Sequence, residues 1–357
     1  MKVLLLADGR SVHTIRYQKE LQNQGIRIFL ASLEPGEMVD IALKNKTPFN
    51  SLNYFLAAYE IRKLIHKLNP DVVNAHFASG YGFSVARCGI WESKPVLLHC
   101  LGSDILISPG KSFLHKRRVI RALSRASHIV VDSGYLADQV RRLSPADKMS
   151  IIPWGVEDEI LRIFESKGNL TLNNAKTLKV LVPRPHHRIY NNLFIVEALK
   201  DFIKSKNISL VFPDWGRELK GFRKGVAQIV PGDLINYYSY MPREKYLEFI
   251  ADFDIHLSAA ISDSSPASLI EAMGAGMFPV VADIYGVKEW VNDKNALLFN
   301  PFESASLHRA FEYLLTGRLP VKDILMANHQ KIKEKAVFSE NIRATISIME
   351  KMIADAA

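Results

Sequence analysis

Asp263 and Glu271 stand eight positions apart in the stretch 258–291, SAAISDSSPASLIEAMGAGMFPVVADIYGVKEWV, with a helix start between them. Ser265 offers a capping hydroxyl, and Pro266 offers a pre-set φ at the first helical position. Gly274 and Gly276 end the helix, because the chain must turn through positive φ before FPVVA extends as a strand. A helix so bounded runs for about two to three turns, and its N-terminal N–H groups suit an anion such as a diphosphate. Carboxylates beside an anion site make chemical sense as partners of hydroxyls, on ribose or on a sugar. The combination points to a sugar nucleotide.

The order Asp263-x7-Glu271, then Ala272-Met273-Gly274-Ala275-Gly276 and Pro279-Val280-Val281, resembles the E-x7-E signature of retaining glycosyltransferases with the GT-B fold. The likeness is closest to family 4 of those enzymes. It implies an α/β chain of two Rossmann-like domains facing across a cleft, with a C-terminal helix crossing back to the first. It also implies that the first acid contacts the donor sugar and the second the ribose; here the first is Asp263, one methylene shorter than the usual Glu. The backbone of Ser264, Ser265, Pro266, Ala267 and Ser268, with Arg184, would hold the diphosphate. The nucleotide sugar is then a substrate, and neither a cofactor nor a metal is expected.

The elements that must position these residues are legible as hydrophobic runs. KVLLLA, a loop Asp8–His13, a helix from about Thr14 to Gln24 and IRIFLAS make a β-α-β opening. Its polar loop lies at the carboxyl end of the first strand, where open α/β sheets bind ligands. By the resemblance Gly9 lies near the donor phosphate, and Arg10 and His13 either reach a substrate or belong to an ordinary solvated loop. A helix over 51–68 precedes Pro70–His76, which resembles the family's "PDIVHAH" strand. VLLHCLGSDIL ends at Gly102-Ser103-Asp104, which resembles the family's "HGSD" turn with Leu101 in place of its histidine. His99 and His76 are the alternatives for that role, and Asp104 is an acceptor-side candidate.

In the second half LKVLVPR is a strand ending at Arg184, the match to the family's diphosphate arginine. The family's lysine falls on Ile189 or Tyr190, which leaves Arg188 as the nearest replacement cation. The Tyr240-Met241 turn occupies the place where the nucleotide base packs. His186-His187 suggests a metal, but adjacent side chains diverge and no acid or cysteine lies near. Asp252-Phe253-Asp254 sits at the start of a strand, which favours a structural role. Gly274-x-Gly276 lies between a helix and the following strand, the reverse of a dinucleotide fingerprint, and no G-x-G-x-x-G follows either opening strand. A nicotinamide-dependent dehydrogenase is thereby set aside.

With 357 residues, 48% of them hydrophobic, the chain is long enough for two domains. The expected division is 1–160 together with 340–357, and 178–339, with the polar stretch 165–177 between. Two cysteines, Cys88 and Cys100, make no disulfide framework and suit a reducing compartment. The opening VLLL is too short for a signal peptide, and no apolar run approaches the roughly 18–20 residues that cross a bilayer. The expected location is cytoplasmic, or peripheral on the inner face of the membrane.

The net charge is +9, and residues 1–160 hold 21 Lys and Arg against 15 Asp and Glu. Aromatics are not interleaved with the basic residues, which argues against nucleic acid. Arg117, Arg118, Arg121 and Arg125 recur along one predicted helix, either as a solvated face or as an electrostatic contact with anionic lipid. The expectation is a transferase moving a sugar from a nucleotide sugar to an acceptor, most commonly in the family a lipid-linked or cell-surface polysaccharide intermediate. The departures at Leu101 and at Ile189/Tyr190 motivate an alternative: a catalytically inactive domain of this fold that binds a sugar nucleotide or a partner protein.

Overall fold

The computed structural model describes residues 1–145, 148–167, 172 and 177–356. It divides into two compact units, Met1–Pro153 with Ser339–Ala357, and Trp154–Phe338. In the first, β1 (Lys2–Leu6), β2 (Arg27–Ser32), β3 (Ile41–Ala42), β4 (Val72–His76), β5 (Val96–Cys100), β6 (His128–Val131) and β7 (Met149–Ile151) form one sheet in the order β3-β2-β1-β4-β5-β6-β7. Every pairing in it is parallel. Strands covered on both faces read as near-continuous apolar runs, and β4 and β5 are buried at every position. Because β1 lies between β2 and β4, the strand order reverses there, and the loops after β1 and β4 part at the sheet's carboxyl edge. Helices Val12–Asn23 and Asn50–Leu68 stand where the apolar spacing places them.

The second unit repeats the plan. Strands β8 (Leu178–Leu181), β9 (Ile208–Pro213), β10 (Asn236–Tyr238), β11 (Ile255–Ser258), β12 (Phe278–Ala282) and β13 (Leu297–Phe299) pair in the order β10-β9-β8-β11-β12-β13, again all parallel. Its reversal lies between β8 and β11, so the loops that follow these two strands are neighbours. One carries Arg184 and the other Asp263.

The chain changes unit at Pro153–Trp154, earlier than residue 160, and the expected boundary 165–177 lies largely outside the described residues. The reason is packing: Ile160 and Leu161 of helix Asp158–Ser166 are buried in the second unit's core together with Met273. A side chain at Gly274 would bring its Cβ within 2.9 Å of Ile160 Cγ2, so the glycine permits that close approach. Residues from Ser339 onward, most of helix Phe338–Ala354, belong to the first unit. Among the described residues no helix is long and apolar enough to cross a membrane.

Candidate functional site

Helix Ala267–Gly274 follows fully buried β11 and opens at Pro266, whose φ of −71° and ψ of 107° put it outside the helix. Among the described residues no side chain caps this end. The expected Ser265 cap is therefore corrected: its Oγ accepts from Trp290 Nε1 at 3.0 Å, which ties the loop to the segment after β12. Gly276, at φ 72°, makes the left-handed turn, whereas Gly274 is the helix's last residue. Ser268 lies in the helix's first turn, and its Oγ is buried.

Arg184 and Asp263 form an ion pair, their side chains 15% and 17% exposed. The Tyr190 ring lies 4.5 Å from the Arg184 guanidinium carbon, so the position expected for a lysine carries the arginine's aromatic support. Ile261 N–H donates to Ile189 O at 2.8 Å, which fixes the two loops to each other, and Asn192 Nδ2 donates to Arg184 O at 2.9 Å, which holds the first loop closed on itself. Asp263 Oδ1 accepts from Ser264 N at 2.9 Å. Gly286 packs against this turn so closely that a Cβ there would lie 2.2 Å from Asp263 O.

Glu271 is buried, and its carboxylate meets a residue that the sequence reading missed. Arg243 Nη2 donates to Glu271 Oε1 at 2.6 Å and to Glu157 Oε2 at 2.7 Å, while its Nε donates to Glu157 Oε1 at 3.2 Å. Burial pulls the guanidinium's pKa down, and the two carboxylates more than reverse that, so Arg243 stays charged. The signal was local. Arg243 is the first residue of helix Arg243–Ala251, where a cation opposes the helix dipole and needs a tertiary partner.

His256 on β11 was also missed. It is 1% exposed, and among the described residues neither ring nitrogen has a hydrogen-bond partner. It lines a small pocket with Ser258, Asp263, Pro266 and Leu269. Burial, with Arg184 nearby, lowers its pKa to about 3 and keeps the imidazole neutral.

Other expected residues are placed differently. Arg188 turns outward, 89% exposed, to Glu218 at 3.0 Å, so it does not join Arg184 as a second cation. Tyr240 is 72% exposed and meets Trp215 edge-on, and Met241 packs against the core. His186 stacks on Phe222 and bonds Pro213 O. Asp254 accepts from Lys179 N, a structural role. No group of three or more potential metal ligands occurs among the described residues.

In the first unit Gly9 N donates to Ser32 Oγ at 3.0 Å, Arg10 pairs with Asp8, and His13 is exposed. His76 and His99 face each other across the β4–β5 pairing, packed edge-on with Tyr17. His99 Nδ1 lies 2.9 Å from Asn74 Nδ2. Burial holds both rings neutral, His99 with a pKa of about 3. The pair is thus part of the sheet's packing, and His99 is not presented at the surface. Asp104 is 1% exposed and accepts from Ala78 N and Leu101 N at 2.7 and 3.0 Å, binding one loop to another instead of facing an acceptor. Burial lifts its pKa to about 6 against those bonds.

Two families match the chain: "Glycosyl transferase 4-like" over residues 2–133 and "Glycosyl transferases group 1" over 172–336. TuaC of Bacillus subtilis, named as a teichuronic acid biosynthesis glycosyltransferase, is 24% identical over 250 residues. That match covers 68% of this chain and only 61% of the relative. A glycosyltransferase from Rickettsia africae superposes with a TM-score of 0.78 at 17% identity, over 99% of this chain and 98% of its own. Anabaena Alr3699/HepE in complex with UDP-glucose superposes with a TM-score of 0.77 at 14% identity, over 97% and 99%.

Proposed function

The chain belongs to the group 1 glycosyl transferases and has the GT-B fold, and from that premise we propose that it moves a sugar from a nucleoside diphosphate sugar, with retention at the anomeric carbon. The observation that carries this is the meeting of three features at helix Ala267–Gly274: a helix start with no side-chain cap, the Arg184–Asp263 ion pair in the loops before it, and Glu271 held by Arg243 within it. Glu271 binds the ribose hydroxyls, and Arg243 holds its carboxylate in place. The diphosphate binds the helix N-terminus and Arg184.

Arriving phosphate competes with Asp263 for Arg184. The carboxylate so released is then available to a hydroxyl of the donor sugar. The acceptor hydroxyl attacks the anomeric carbon as the bond to the diphosphate breaks, and the leaving phosphate oxygen takes the acceptor's proton. Arg184 and the helix dipole stabilise the charge that develops on the diphosphate. UDP-glucose is the first donor to assay, given the complexes of HepE with UDP and UDP-glucose. A cell-surface polysaccharide intermediate is the acceptor class that the name of the Bacillus relative supports, and a cytoplasmic location would give access to such donors.

Calorimetry with a panel of nucleotides tests the reading, using wild type and Glu271→Ala. Affinity falls by about tenfold to a hundredfold in the variant, as expected when a charged hydrogen-bond partner is removed. Unchanged binding in the variant would overturn the assignment. One observation favours the second reading, an inactive binding domain: Arg188 pairs with Glu218 and leaves the diphosphate position with Arg184. Nucleotide binding without transfer to any acceptor in a membrane extract would select it.

A further inference from the structure

We infer that His256 is the partner Asp263 takes up when the donor's diphosphate claims Arg184, so that a buried imidazole holds the freed carboxylate for the donor sugar. His256 lies on β11 between Leu181 of β8 and Pro279 of β12, and its side chain shares a face with Ser258 two positions on. It is 1% exposed, and among the described residues both ring nitrogens are without a hydrogen-bond partner. Buried polar atoms are paired as a rule, so two orphans on one ring call for a partner that arrives. The pocket narrows the choice. Of the ten residues that line it, only His256, Ser258 and Asp263 have side chains able to form hydrogen bonds. Among these, Asp263 alone brings a charged acceptor.

Asp263 is placed for such an exchange. Its Oδ1 accepts from Ser264 N at 2.9 Å, while Oδ2 is the oxygen paired with Arg184. Only the second oxygen has to change partner. The backbone of the loop is fixed, because Gly286 packs against Asp263 O and Trp290 Nε1 holds Ser265 Oγ at 3.0 Å. Arg184 Nε is buried and, among the described residues, has no hydrogen-bond partner, so the guanidinium keeps a donor for an arriving phosphate. A carboxylate that loses a guanidinium in a buried site needs another donor, or its desolvation is charged against phosphate binding. His256 supplies one without a change of charge. Burial, with Arg184 nearby, keeps the ring neutral, with one N–H to donate and one nitrogen to accept. The carboxylate so held has lone pairs left for a sugar hydroxyl.

The inference rests on the proposed function for the diphosphate at Arg184, and its test separates the two. Calorimetry with UDP and the other nucleoside diphosphates compares wild type, His256→Phe, His256→Gln, Asp263→Asn and Asp263→Asn with His256→Phe. His256→Phe keeps the bulk of the ring and should weaken binding by about tenfold; His256→Gln keeps an N–H donor and should bring it back to within about threefold of wild type. In the Asp263→Asn background His256→Phe should cost less than about twofold, because no carboxylate then needs a donor. NMR of the histidine ring nitrogens adds a readout that packing alone would not move. On saturation with the nucleotide one ring nitrogen of His256 should shift as its N–H meets the carboxylate, and the shift should vanish in Asp263→Asn. The wild-type spectrum decides the matter even where a variant fails to fold. An equal cost of His256→Phe in both backgrounds, or ring nitrogens of His256 indifferent to the nucleotide, would overturn the inference and leave the donor site standing. If wild type binds no nucleoside diphosphate, the proposed function and this inference fall together.

Discussion

Arg243 Nη2 lies 2.6 Å from Glu271 Oε1 and 2.7 Å from Glu157 Oε2, so one guanidinium spans two carboxylates inside the second unit. Glu157 is among the first residues of that unit after the chain leaves the other. The proposed ribose acid is thus braced against the segment where the two units join in sequence. Arg243→Met should lower stability by about 2 kcal/mol, less than for a fully buried pair because its side chain is 21% exposed. It should also weaken nucleotide binding. Chemical denaturation and calorimetry read the two effects, and a variant that binds nucleotide like wild type would remove Arg243 from the site.

The Arg184–Asp263 pair predicts opposite effects on two ligands. Asp263→Asn frees Arg184 for phosphate, so affinity for the bare nucleoside diphosphate should rise by about three- to tenfold. Affinity for the sugar nucleotide should rise less or fall, since a hydroxyl contact is weakened. Parallel titrations decide it; equal changes for both ligands would show that Asp263 does not contact the sugar.

Gly286→Ala places a methyl group against the carbonyl of Asp263, at a distance no Cβ tolerates. The loop must shift, at a cost of about 1–3 kcal/mol. Donor KM should rise more than stability falls. An unaltered KM would show that the Asp263 turn is not part of the donor site.

Four buried histidines set a pH dependence. His76, His99, His186 and His256 all have pKa values lowered in the folded chain, His99 and His256 to about 3. Their contribution to stability is complete above the unfolded value of about 6.5 and is lost progressively as pH falls below it. Asp104, raised to about 6, acts in the opposite sense between its unfolded value and that pH, but it is one group against four. The melting temperature should fall as pH drops below about 6.5, and His256→Phe should make that fall shallower. An unchanged slope in the variant would show that His256 is protonated without penalty.

Much of this was legible in one dimension. Buried parallel strands announce themselves as VLLL, VVNA and FPVVA because both their faces are covered, and periodic helices such as Asn50–Leu68 show their apolar stripe. The acid pair beside a proline-opened helix is a local pattern, and the proposed donor site rests on it, although the expected Ser265 cap is replaced by a bond from Trp290. Residues whose meaning depends on what approaches from elsewhere in the chain were not legible. Arg243 reaches Glu271 from 28 positions away and Glu157 from 86; its place at a helix start signals only that it needs a partner, and sequence spacing carries no trace of which. Arg188 and Tyr190 lie two positions apart on a short turn, and only the folded loop decides that the arginine turns out to Glu218 while the ring lies against Arg184. Arg118 and Arg125, expected to belong to one basic stripe, were misread for the same reason: half-buried, they lie over the rings of Phe83 and Trp91. A cation in a sequence reads as solvated until the tertiary structure shows which ring packs against it.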